Sequence, residues 1–346
     1  MLFILTELKL KQLQDIFADD NYLHKSIMVR EMLDFVERNK HDGVLVDCTL
    51  GEGGHSLVFL EKFSSMKIIA FERDSEILAQ ANERLSNFKD RITFINDNFS
   101  EIGFHLTSMN LKADYILYDF GISSFHFDAS KRGFAFKEDE PLDMRLGLNP
   151  KNIPAAYVVN NYTESQLTEI FYRYGEENWS KHIAKIICER RKNKPIATSK
   201  ELADIVLAAI PKKFHVKNIH PATRIFQAIR IEVNDELISI EKSLNELYKY
   251  CNADALIMVL SFHSLEDRIV KDKFKRWSRG CLCCLEPKNC MCTNKPFIEI
   301  LTKRPLTPCE DEIEFNRRSR SAKLRVCRVT PKTDSILLDE KISKWN

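Results

Sequence analysis

Short unbroken apolar blocks alternate with stretches of helical periodicity along the first third of the chain. The blocks are VLVDC (44–48), KIIAFE (67–72), ITFIN (92–96) and ADYILYD (113–119), and the stretches between them read as helices from about His55 through Phe63 and over SEILAQANERL (75–85). Strand and helix alternating at this spacing predict βαβ units and a parallel sheet covered on both faces. The next comparable block is ADALIMVLSF (253–262). Residues 120–252 are far more than a loop needs, so an inserted subdomain is expected between these two strands. FIEILT (297–302) and AKLRVCRV (322–329) read as closing strands.

The insert has the pattern of a helical body. Thr163 and Gln166 make a capping-box pattern ahead of LTEIFYRY, and Gly175 stands where a C′ glycine would end that helix. Ser199 precedes ELADIVLAAI, which Pro211 closes. A long helix is expected from about Pro221, since Phe226, Ile229, Val233, Leu237, Ile240, Leu244 and Leu247 recur every three or four positions. These residues are assigned to core.

Composition narrows the class. With 44% hydrophobic and 29% charged residues over 346 positions, the chain reads as a globular protein of two domains, or of one carrying a large insertion. The start, MLFILTEL, is too short a run for a spanning helix and lacks the order of a signal peptide, so a cytoplasmic protein without membrane contact is expected. Net charge is only +2, yet residues 265–328 hold 16 Lys/Arg against 9 Asp/Glu, and residues 181–200 hold 7 against 1. Such stripes suit a polyanion such as RNA, or are solvated helix faces.

Ten cysteines without a secretory signal argue for reduced thiols. Cys281, Cys283, Cys284, Cys290 and Cys292 crowd into twelve positions, as C-x-C-C followed by C-x-C. Close thiolate pairs beside a basic stretch are able to hold a structural zinc, although C-x-C is tighter than the usual spacing. Both readings, zinc and plain thiols, stay open.

Candidate chemistry begins after the first block, where Asp47 is followed by Gly51, Gly53 and Gly54. Glycines at a strand-to-helix turn bring bare backbone up to a nucleotide-like ligand, and the next helix aims its N–H groups at the same place. A turn with no ligand has the same pattern. Glu72, at the end of the second block and 21 positions after Gly51, lies at the interval where nucleotide folds place an acid for ribose hydroxyls. A dinucleotide fingerprint wants a third glycine where Ser56 stands. An adenosine ligand without pyrophosphate fits better, and S-adenosylmethionine is such a ligand.

Several longer strings extend the picture: HKSIMVREMLDFV (24–36), DCTLGEGGHS (47–56), DYILYDFGISSFHFD (114–128), RGFAF (132–136), PLDMRL (141–146), HPATRIFQAIRIEVNDEL (220–237), SFHSLEDRIVK (261–271) and SRSAKLRV (319–326). In this order they resemble the bacterial RsmH (MraW) family over about residues 22–330. The resemblance implies a class I S-adenosylmethionine-dependent methyltransferase, a Rossmann-like α/β fold with an inserted helical subdomain. It also implies methylation of N4 of a cytosine in the decoding region of 16S rRNA, with that rRNA in the small ribosomal subunit as partner. Its division of the chain is an extension over 1–21, a methyltransferase domain over 22–127 and 251–330, a substrate-recognition insert over 128–250 and a tail over 331–346.

Carried over by position, the resemblance assigns Gly53, Gly54, His55, Glu72, Phe99, Asp119 and His126 to cofactor binding. Two of these depart from the family pattern, with Glu72 where relatives commonly carry Asp and Phe125-His126 where they carry Pro-Gln. Asp119 has two readings, cofactor ligand or acceptor for the N4 protons. Arg132 and Arg145 are candidates to clamp RNA phosphate, the alternative for an arginine being a structural pair with Asp143. His263 is a substrate-side candidate or the cap of the next helix. Neither Cys48 nor Cys188 has the context of a nucleophile for carbon methylation. Two other functions compete: a dehydrogenase, and a ribosome-assembly factor that keeps the fold without catalysis.

Overall fold

A computed structural model describes residues 26–331 apart from 41, 148–151, 217–219, 246 and 280–295. The five-cysteine cluster and the expected extension over 1–21 lie outside the described residues, as does all but the first position of the expected tail. Among the described residues, backbone contacts separate two compact units. One comprises Ser26–Glu72, Arg84–Gly121 and the chain from Ile240 onward; the other comprises Arg73–Glu83 and Ile122–Ser239.

The first unit is built on one sheet of seven strands: β1 Val44–Asp47, β2 Lys67–Phe71, β3 Ile92–Ile95, β4 Ala113–Asp119, β5 Cys251–Ser261, β6 Ile298–Ile300 and β7 Lys323–Val329. Their spatial order is β3-β2-β1-β4-β5-β7-β6. The strands β1 to β5 run parallel, with Val46 opposite both Ile69 and Ile116, while β7 enters antiparallel between β5 and β6. Every block that read as a strand is one. Leu45, Val46, Ile116, Leu117, Ile257 and Met258 are buried almost completely, as strands covered on both faces require. At about 1.5–3 kcal/mol for each large apolar side chain taken from water, this layer is the main term holding the unit together.

The order reverses beside β1: the chain works outward to β3, then crosses back to β4. A sheet of this kind binds its ligand beyond the carboxyl ends of the strands at the reversal, which are Asp47 on β1 and Asp119 on β4.

The second unit is helical. Helices Ala155–Asn161, Glu164–Arg173, Ser180–Arg190, Ser199–Ala209 and Thr223–Asn234 pack Val158, Leu167, Phe171, Ile187, Val206 and Ile229 into a common core. The capping box at Thr163 and Gln166 is present. The structure refines the local reading at three places. Gly175 does not carry the left-handed turn, which falls on Glu176 at φ 47°. Gly175 is needed for close approach instead, because a Cβ there would lie 2.7 Å from the Phe171 carbonyl and 2.8 Å from that of Arg224. The cap of the Ser199–Ala209 helix is Thr198, whose hydroxyl accepts from the Glu201 N–H. Lastly, the long periodic run from Pro221 is two helices, Thr223–Asn234 and Glu236–Asn245, broken where Asp235 turns left-handed at φ 50°. Asn234 makes the break useful, since its amide accepts from the Leu146 N–H at 2.7 Å and donates to the Met144 carbonyl at 2.7 Å. Periodicity counts only apolar positions and is blind to such a bond.

Candidate active site

The turn after β1 is pinned to both neighbouring strands. Cys48 N–H donates to the Leu117 carbonyl and Leu50 N–H to that of Phe71, each at 2.9 Å. Gly51 and Gly53 take φ of +53° and +80°, a region that costs other L-residues about 1–2 kcal/mol. Gly53 is the N-cap of helix Gly54–Lys62, so the free N–H groups of the first helical turn open from this point. The Gly51 N–H donates to Glu72 Oε2 at 3.0 Å. The acid at the end of β2 is thereby set against the glycine turn, with its backbone N–H bonded to Ile95 and its carbonyl accepting from Asn96. Glu72 reaches the turn directly through its carboxylate.

Buried polar groups gather at the ends of β1 and β4. Asp47 accepts from the Ser56 hydroxyl at 2.7 Å and the Thr49 N–H at 3.2 Å. His55 Nε2 lies 3.0 Å from the Ile27 carbonyl, and its Nδ1 lies 3.5 Å from Asp119 Oδ2. The Asp119 N–H donates to Thr49 Oγ1 at 2.6 Å. Burial dominates the titration of all three groups. It pushes the Asp47 carboxyl up against the pull of Ser56 and His55, and it pushes the His55 imidazole down. It also pushes Asp119 well up, with Asp47 and Glu266 adding to the shift. The bond between Asp47 and Ser56 had no signal in the sequence.

Phe99 supplies an aromatic wall, edge-on to Tyr118 with ring centres 5.6 Å apart and tilted against Phe120 at 6.0 Å. The structure thus brings Gly53, Gly54, His55, Glu72, Phe99 and Asp119 into one unit around the strand ends of the reversal. These residues fit an adenosyl ligand by chemistry: an acid for vicinal hydroxyls, bare backbone, an aromatic face and buried acids.

The remaining candidates are placed otherwise. His126 belongs to the helical unit, 4% exposed, with Nε2 at 3.2 Å from Asp74 Oδ2, and burial lowers its pKa against the opposing pull of that carboxylate. Arg132 is 6% exposed, pairs with Asp74 and with Glu76 at 2.7 Å, and donates to the Arg145 carbonyl. Its charge is already answered within the protein by Asp74 and Glu76. Arg145 forks onto Asp143 through Nε at 2.9 Å and Nη2 at 2.6 Å, the structural alternative for this residue. His263 is the N-cap of helix Ser264–Trp277 in a full capping box with Glu266, whose carboxylate accepts from the Phe262 N–H at 2.8 Å. Of the two readings of His263, the cap of the next helix is the one this geometry realises.

A doubly wound sheet with an antiparallel last strand, a glycine turn after β1 and an acid closing β2 defines the class I S-adenosylmethionine-dependent methyltransferases. Within that class, residues 21–330 match the model of the MraW methylase family, and the chain belongs to it. It is 45% identical to the ribosomal RNA small subunit methyltransferase H of Clostridioides difficile (strain 630) over 88% of this chain and 97% of that protein. It is 46% identical to the protein of that name from Leptospira borgpetersenii serovar Hardjo-bovis (strain L550), over 90% and 96%. Among solved structures, a putative rRNA-methylase from Clostridium thermocellum aligns at 10% identity with a TM-score of 0.41, covering 89% of this chain and 100% of the other, too distant to refine the fold.

Proposed function

We propose that the chain transfers a methyl group from S-adenosylmethionine to the exocyclic N4 of a cytosine in the decoding region of 16S rRNA, within the small ribosomal subunit. The observation that carries the reading is family membership over nearly the whole chain, together with the Gly51–Glu72 bond that sets a ribose-type acceptor against a bared turn.

Bound at the strand ends, the cofactor would supply an electrophilic methyl on a sulfonium. Gly53 and Gly54 would let it approach the backbone, Glu72 would accept from its ribose hydroxyls, and Phe99 would shield its base. His55 would hold Asp119 in place, and Asp119 is assigned to the cofactor side. No nucleophile on the protein is required, because the amine itself attacks and one of its two protons leaves; the protein's share is positioning and a hydrogen-bond acceptor.

Methyl transfer to small subunits from a strain lacking this modification, mapped by mass on the RNA, tests the proposal. Label at N4 of one decoding-region cytosine is expected. Cofactor binding without transfer to any subunit preparation would favour the silent assembly factor instead.

A further inference from the structure

The helical unit carries an aromatic cluster that its core does not use. Phe214 is 50% exposed at the end of the short turn Lys212–Phe214. Its ring lies 5.2 Å from that of Trp179, which in turn is 5.9 Å from His182. The cluster is fixed in place rather than loosely solvated. Phe214 N–H donates to the Pro211 carbonyl at 2.9 Å and His215 N–H to that of Lys212 at 3.1 Å, while His215 Nε2 lies 2.8 Å from the Ile210 carbonyl. Trp179 rests on the helical core, and its backbone N–H donates to the buried Glu177 carboxylate at 2.9 Å. Lys213 places its ammonium 5.0 Å from the Phe214 ring centre, with Lys212 beside it in sequence and the exposed Lys181 next to His182.

An exposed phenylalanine held rigidly by hydrogen bonds on both sides costs solvation without repaying it in core packing. Flat rings open to solvent, bordered by lysines, have the two features that unpaired nucleotides recognise: a π-face for bases and cations for phosphates. We propose that Phe214 and Trp179 form a stacking platform for one or more unpaired nucleotides of the RNA substrate, with Lys212 and Lys213 on the adjoining phosphates. This rests on the reading of an RNA substrate and adds to it where the RNA is held. Duplex RNA, whose bases present only edges, would be bound without the platform.

The test uses the full-length protein and small ribosomal subunits, with three variants at Phe214 and one double variant at the lysines. Phe214→Ala is expected to raise KM for the subunit about tenfold, within the range that stacking of a single base supplies, with kcat and affinity for the cofactor product unchanged. Phe214→Trp is expected to restore it, and Phe214→Leu, which keeps the apolar cover over Trp179 without a π-face, to behave like alanine. Lys212→Gln with Lys213→Gln is expected to lower the salt slope of binding to a single-stranded decoding-region oligonucleotide by about 1.4, two phosphates at about 0.7 each. Wild-type KM in the alanine variant, or a leucine variant as good as wild type, would overturn the platform while leaving the enzyme reading intact. Absence of methyl transfer by the wild-type protein would instead remove the reading beneath it.

Discussion

The backbone N–H of Gly51 and the carboxylate of Glu72 meet at 3.0 Å, so the loop leaving β1 and the end of β2 form a single rigid lip. That lip needs both a bare backbone and an acid long enough to reach it. Replacing Glu72 with alanine removes the acceptor for the ribose and the anchor of the turn together. Calorimetry is expected to show cofactor affinity reduced by more than tenfold, with Glu72→Asp losing much less.

Asp119→Ala is expected to abolish cofactor binding, because the side chain stands at the carboxyl end of β4, 3.5 Å from His55. Affinity equal to wild type with lost methyl transfer would move this acid to the side of the accepting amine.

The two adjacent glycines of the turn differ in what they tolerate. Gly53→Ala must hold an L-residue at φ 80° and is expected to cost about 1–2 kcal/mol in urea unfolding. Gly54 has ordinary helical backbone, and the one close contact of its added methyl would be the Ser26 hydroxyl, at 2.2 Å, which a single rotation moves aside, with Ser26 Cβ and Arg84 Nη1 at ordinary distances of 3.5 and 3.6 Å. Gly54→Ala is therefore expected to cost under about 1 kcal/mol, and less again when combined with Ser26→Ala.

Stability should fall in acid through Asp74. Burial raises this carboxyl, but hydrogen bonds and charge from His126 and Arg132 outweigh it and hold the group far below the usual carboxylate range. A depressed folded-state pKa means that the stabilisation is complete above the unfolded value near 4 and is lost as pH falls through and beneath that range. Asp74→Asn is expected to unfold several kcal/mol more easily at neutral pH, since Arg132 is then left buried with one fewer counter-charge, and the gap to wild type should narrow progressively below pH 4. A gap independent of pH would mean that packing, rather than charge, is lost.

His263→Ala tests its placement as a cap. Loss of about 1 kcal/mol of stability is expected, with KM for the subunit unchanged. A selective rise in KM would return the residue to the substrate.

The strands were legible because a parallel sheet covered on both faces leaves continuous apolar runs, and Val44–Asp47 through Ala113–Asp119 needed nothing further. The glycine turn was legible because positive φ and close approach select one residue type. What escaped the sequence was pairing at a distance. Arg132 finds Asp74 across 58 positions, and Asn234 finds Leu146 across 88; neither leaves a periodic trace. His263 was ambiguous for a different reason, since an imidazole that caps a helix and one that faces a ligand occupy the same place at the end of a strand.

The antiparallel entry of β7 between β5 and β6 has a temporal cost. During synthesis the outer edge of β5 has no partner until the chain has been made as far as Val329, so a long, apolar strand waits with its ladder groups open while everything before it is already able to fold. Chains halted shortly before that point should aggregate or be degraded even though every residue assigned to the cofactor is present in them, and supplying the missing strand as a separate peptide is the natural way to rescue them.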